Sequence, residues 1–76
     1  MKNQTTEELA KTCYQATMKA FEAGNHKEVL ALFMKLGNTS PEALNAAYNT
    51  QDENGERAFA QAVFEAALVW RANPWN

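Results

Sequence analysis

Isoleucine is absent from this chain and valine occurs three times, while fourteen alanines are spread along its whole length. Alanine is the strongest helix former, whereas β-branched and aromatic side chains fill the pleated surfaces of sheets. No run of period-two alternation backed by β-branched residues is present. A chain built this way is confined to helices, so the all-α class follows before any element is placed.

Start and stop signals divide it into four helices, predicted at about 6–23, 26–36, 41–49 and 54–72. Thr5 with Glu8 three residues on is a capping-box pattern. Leu9, Cys13, Ala16, Thr17, Ala20 and Phe21 then form one stripe, with Ala10 and Tyr14 at its edge, and Gly24 suits the left-handed position after the helix. Asn25 can cap the second helix, in which Val29, Leu32, Phe33 and Leu36 keep helical spacing. Leu30 and Met34 widen that apolar face, and Gly37 is expected to end it. Ser40-Pro41-Glu42 is the clearest start signal: a capping hydroxyl, proline where no N–H is needed, and an acid at the positive end of the dipole. Leu44, Ala47 and Tyr48 give the third helix a narrow face. The fourth carries Phe59, Ala62, Val63, Ala66 and Trp70 on one stripe and Ala60, Phe64, Ala67 and Leu68 on a second, with Pro74 beyond its end.

The helices repeat at an offset of 31 residues. Gly24, Val29, Phe33 and Leu36 fall on Gly55, Ala60, Phe64 and Ala67, and Cys13 and Ala16 on Leu44 and Ala47. The expectation is a compact four-helix domain built from two αα-hairpins, single over residues 1–76, with the second and fourth helices at its centre. The first hairpin, Ala10 to Pro41, resembles a degenerate tetratricopeptide unit, with small residues at Ala16, Thr17 and Ala20, Gly24-Asn25-His26 at the turn, then Val29, Phe33 and Pro41. It lacks that family's aromatic and Leu-Gly pair, where Cys13 and Ala16-Thr17 stand. The resemblance covers under half of the chain, so what carries forward is the hairpin and not the family.

Size turns this pattern into a problem of burial. A domain of 76 residues buries only about 60% of the surface its unfolded chain exposes. One cysteine and one histidine exclude an internal disulfide and a four-ligand zinc site. Seven basic residues against nine acidic ones provide no clustered basic face for nucleic acid. Val29 to Met34, the longest strongly apolar stretch, is too short to span a bilayer. The N-terminus shows neither a secretory nor a transit signal, and a lone thiol fits the cytoplasm.

Chemistry-bearing patterns reduce to ordinary structure. Cys13 on an apolar stripe reads as a small hydrophobe, and His26 at a helix start as a surface residue. Asp52, Glu53 and Glu56 lack the alternating oxygen ligands of a calcium loop and read as charge at a helix N-terminus, with Glu53 and Arg57 four apart. No phosphate loop, zinc-protease motif or nucleophile elbow occurs, so no enzyme, metal or cofactor is expected. Leu32 to Ala43 has the outline of a helix-turn-helix with Gly37 in the turn. Its would-be recognition helix, Pro41 to Asn49, has no Lys or Arg and offers only Asn45 and Asn49 to base edges.

What remains is apolar excess. Leu30 and Met34 on the second helix and Phe64, Leu68, Trp70 and Trp75 at the C-terminal end exceed what one amphipathic helix and one short one can cover. Trp70 continues a core stripe and is expected to face inward, whereas Trp75 is either a lid or an anchor. The expected function is a small cytosolic, non-catalytic protein–protein interaction module: a regulator, inhibitor or accessory subunit acting by steric binding, as a homodimer or on a protein partner. The alternative is a dimeric helix-turn-helix DNA-binding transcription regulator.

Overall fold

The predicted caps at Thr5, Gly24, Asn25 and Ser40 form and explain the ends they flank. The structure, a computed structural model, describes residues 5–72, among which there are four helices and no strand. Helix α1 spans Thr6–Glu22, α2 His26–Thr39, α3 Pro41–Asn49 and α4 Ala58–Ala72. At the start of α1 the Glu8 amide donates to Thr5 Oγ1 at 3.1 Å and the Thr5 amide to Glu8 Oε1 at 3.0 Å, closing the capping box. At its end Gly24 takes φ 77°, which a side chain would resist. The amides of Gly24 and Asn25 then donate back to the Phe21 and Ala20 carbonyls at 3.0 and 2.9 Å, a Schellman ending. Asn25 Oδ1 caps α2 by accepting from Glu28 N at 3.2 Å.

Two boundaries differ from the sequence reading. Gly37 does not stop α2, which runs on to Thr39. The stop is Pro41, whose ring pushes the preceding residue out of helical conformation, and Ser40 accordingly sits at φ −156°, ψ 98°. Ser40 serves both helices: its N–H donates to Leu36 O at 2.8 Å, and its Oγ accepts from Ala43 N at 3.1 Å. The α2–α3 connection is therefore a single residue. A Cβ on Gly37 would stand 3.3 Å from Leu44 Cδ2, so glycine there serves the close approach of α2 and α3. Ser40→Ala is expected to cost about 1 kcal/mol by losing the cap, lowering the melting temperature by about 4–8 °C in a calorimetric scan.

The start of α4 moves further. Residues 53–57 are not helical, because Asp52 gathers the backbone into a closed turn before the helix begins. Its Oδ1 accepts from the Asn54 and Glu56 amides at 2.8 and 2.9 Å, and its own N–H donates to Glu56 O at 2.8 Å. Such local side-chain bonds compete with helix for the same amides. The acids consequently stand outside α4, whose first turn contains none.

All six helix pairs touch, with α1 against α2 and α3, α2 against α4, and the slimmest contact between α3 and α4. The core holds Val29, Leu36, Ala43, Ala47, Phe59, Ala62, Val63 and Ala66, with Ala10 and Cys13 from α1. An aromatic chain ties the helices together: Tyr14 to Phe59 at 6.3 Å between ring centroids, Phe59 to Tyr48 at 5.6 Å, and Tyr48 to Phe33 at 6.0 Å. These rings come from α1, α4, α3 and α2 in turn. The body measures 40 × 31 × 19 Å, and its shortest dimension holds only two helices of about 10 Å each. A slab two helices thick leaves every helix with a face toward solvent. The second and fourth helices are not enclosed, contrary to the expectation that they form the centre.

Candidate functional site

The 31-residue repeat misplaces the outer face of α4. Its matching positions Ala60 and Ala67 are only half-buried and Phe64 is 65% exposed, whereas Val29 and Leu36 are buried. The core stripe is Phe59, Ala62, Val63 and Ala66, and the second stripe turns outward. Among the described residues the exposed large hydrophobics are Met34 at 61%, Phe64 at 65%, Leu68 at 45% and Trp70 at 38%.

These side chains do not form one cluster. Phe64 and Leu68 lie four residues apart and therefore share a ridge on the side of α4 away from the core. Trp70 is about 120° around the helix from Phe64 at 100° per residue. It continues the core stripe, as its spacing suggested, yet stands partly exposed at the C-terminal end of α4, where it meets α2. There Trp70, Leu30 and Met34 line a shallow depression of about 480 Å³ together with Lys27, Ala31 and Phe33. Leu30 is half-buried against the core. The sequence reading missed Lys27 and Ala31, although with Met34 they keep the i, i+4, i+7 spacing of a second stripe on α2. Trp75 lies outside the described residues.

Cys13 occupies the opposite groove, between α1 and α2, beside Leu9, Ala16, Leu32 and Lys35. Its Sγ lies 3.9 Å from Thr17 Oγ1 and 3.8 Å from the Leu32 carbonyl oxygen, to which it donates. Thr17 is fully buried, so this pair satisfies a polar group that the helix spacing had placed inside. Burial pushes the Cys13 thiol above its ordinary value, while the Thr17 hydroxyl and the Lys35 ammonium pull it down less strongly. His26 packs edge-on against Phe21, with ring centroids 6.1 Å apart. It stands six residues before Leu32 along α2, roughly 9 Å of helix axis from the thiol's partner. Burial outweighs the two groups that favour the Cys13 thiolate.

A raised thiol pKa has a directional consequence for stability. The unfolded chain ionises first as pH rises, so stability present below the ordinary thiol pKa is lost as pH climbs through it toward the folded value. The urea midpoint is expected to fall between pH 8 and pH 10, and the fall should shrink in Cys13→Ala. Iodoacetamide at pH 8 should label the folded protein at least about tenfold more slowly than the urea-unfolded chain.

The outward face of α3 carries Glu42, Asn45 and Asn49. Asn49 Nδ2 donates to the Asn45 carbonyl at 2.9 Å and lies 3.3 Å from Asn45 Oδ1, so the two asparagines engage each other. A helix-turn-helix joins its helices through a turn of three or four residues, whereas Ser40 alone joins α2 and α3. Among the described residues no group of three or more metal-binding side chains is assembled, and no helix is long and apolar enough to cross a membrane. No family model matches the chain, and no curated protein or solved structure matches it.

Proposed function

We propose that this chain is a small, non-catalytic protein–protein interaction module of the cytoplasm. It acts by steric binding as a regulator, inhibitor or accessory subunit, and the outer surface of α4 with the neighbouring end of α2 receives the partner. One observation carries the reading: Phe64 is 65% exposed one turn from Leu68, which is 45% exposed, on a helix whose other side buries Phe59, Ala62, Val63 and Ala66. Single exposed apolar residues are ordinary on protein surfaces, but a contiguous ridge of large ones marks an interaction site.

Aromatic residues, Met and Arg are the types enriched at such interfaces, and Phe64, Trp70, Met34 and Arg71 supply them. A protein fits this surface better than nucleic acid does, because Glu65 stands among the few exposed charges of α4 and no basic cluster is present. A lone buried thiol fits a reducing compartment. The test compares tagged wild type, Phe64→Glu and Met34→Glu in affinity purification from the native host. Wild type should retain one stoichiometric protein or a second copy of itself, and at least one variant should lose it while keeping its helical circular dichroism. Identical recoveries from all three would sink the reading.

A further inference from the structure

We infer that the turn ahead of α4 is a site of spontaneous covalent modification, at which Asn54 loses its side-chain amide to attack by Gly55 and becomes aspartate and isoaspartate. The reaction needs no enzyme and no partner, so it is independent of what α4 binds. The backbone nitrogen of Gly55, once deprotonated, attacks Cγ of Asn54. A bond forms between that nitrogen and Cγ, the Cγ–Nδ2 bond breaks, and the side-chain nitrogen takes up a proton and leaves as ammonia. Water then opens the five-membered imide. Cleavage at Cγ restores the ordinary main chain with an aspartate. Cleavage at the Asn54 backbone carbonyl leaves the chain running through Cγ, as isoaspartate.

Position and surroundings single out this asparagine. Glycine obstructs the attack least, because it has no side chain beside the nitrogen and reaches conformations closed to other residues. Asn54 is the one asparagine of the sequence that glycine follows. It lies between α3 and α4, whereas Asn38, Asn45 and Asn49 are helical and Asn25 Oδ1 is held as the cap of α2. Asn54 and Gly55 are both exposed. Gly55 takes φ 78°, and a Cβ there would meet nothing within 4 Å, so the space beside its nitrogen is open. Among the described residues the Asn54 side-chain amide has no hydrogen-bond partner, since Asp52 holds the backbone N–H of that residue.

Asp52 restrains the reaction and is also what the reaction disrupts. Gly55 N–H donates to Asp52 O at 3.0 Å, and this bond has to open before the nitrogen can attack. The bonds of the turn are local and exposed, so they open without the core. Isoaspartate then lengthens the main chain between residues 54 and 55 by one carbon, about 1.5 Å. Asp52 Oδ1 holds the Asn54 amide at 2.8 Å on one side of that insertion and the Glu56 amide at 2.9 Å on the other. It cannot keep both, and a new carboxylate arrives beside Asp52, Glu53 and Glu56. The product is an opened turn in front of α4.

The experiment incubates the full chain at pH 8, folded and in guanidinium chloride, and follows every asparagine by tandem mass spectrometry. Residue 54 of the folded chain should gain one mass unit first, at no less than about one tenth of its rate in the unfolded chain. Asn54→Gln, which would have to close a larger ring, should abolish the gain there. A folded chain that reacts more than tenfold slower than the unfolded one, or that reacts first at another asparagine, overturns the site. The isoaspartyl form, separated by ion exchange, should show at least tenfold faster hydrogen exchange at the Glu56 amide. Asn54→Asp has the new charge on an ordinary main chain and should keep the wild-type rate. Equal exchange in the isoaspartyl form and wild type overturns the opening of the turn.

Discussion

Replacing Phe59 with alanine is expected to destabilise the domain by about 3–5 kcal/mol. At 0.05–0.15 kcal/mol per residue, a domain of 76 residues has about 4–11 kcal/mol in all. The melting temperature should therefore fall by about 12–40 °C, as followed by circular dichroism at 222 nm. The magnitude follows from position. Phe59 is the largest fully buried side chain among the described residues. It holds the middle of the aromatic chain, with Tyr14 on one side at 6.3 Å and Tyr48 on the other at 5.6 Å. Truncation removes the transfer term of the ring and leaves a cavity that three helices would have to close at once. Phe59→Leu retains most of the volume and should cost about 1–1.5 kcal/mol, including the lost ring–ring contacts. A cost below about 1 kcal/mol for the alanine variant would show that the site collapses freely, against the packing described.

The second large effect comes from adding volume. Ala47→Leu is expected to cost at least about 1–3 kcal/mol, because a tight core accommodates extra methylenes only by shifting backbone. Ala43 and Ala47 on α3, and Ala62 and Ala66 on α4, have no solvent exposure. Each sits where its helix comes closest to the core, and the alanine side chain permits that approach. Ala31 is exposed on α2, so Ala31→Leu should change stability by no more than about 0.5 kcal/mol. Paired urea titrations of the two variants measure the contrast. Similar small effects at both positions would mean that alanine at 47 serves helix propensity alone.

This contrast shows why part of the fold was legible and part was not. Thr5, Asn25 and Ser40 each cap an amide three residues on, at Glu8, Glu28 and Ala43, so the sequence interval contains the whole interaction. Gly37 and the start of α4 misled for a related reason. Glycine costs a helix about 1 kcal/mol, but the close approach of Leu44, which no local pattern shows, makes it suitable at position 37. Glu53 and Glu56 have the pattern of helix-start charges, but Asp52 beside them holds the same backbone in a turn.

The candidate surface divides the same way. Periodicity finds two apolar stripes on α4 and marks Leu30, Met34, Phe64, Leu68, Trp70 and Trp75 as more than the chain needs. It could not separate the Phe64–Leu68 ridge from the depression that Trp70 shares with Leu30 and Met34. That separation depends on where α2 crosses α4, and no helix states the position of its neighbour.

Taken alone, the chain determined what short-range forces determine: helices in place of strands, most of their ends, and a surplus of large apolar side chains for its length. Tertiary packing decided which alanines are structural, which stripe of α4 faces inward, and where the surplus emerges. Burial is a property of pairs of helices, and four of them stacked two deep in a 19 Å slab cannot enclose every apolar face. The outer ridge of α4 is the face left over.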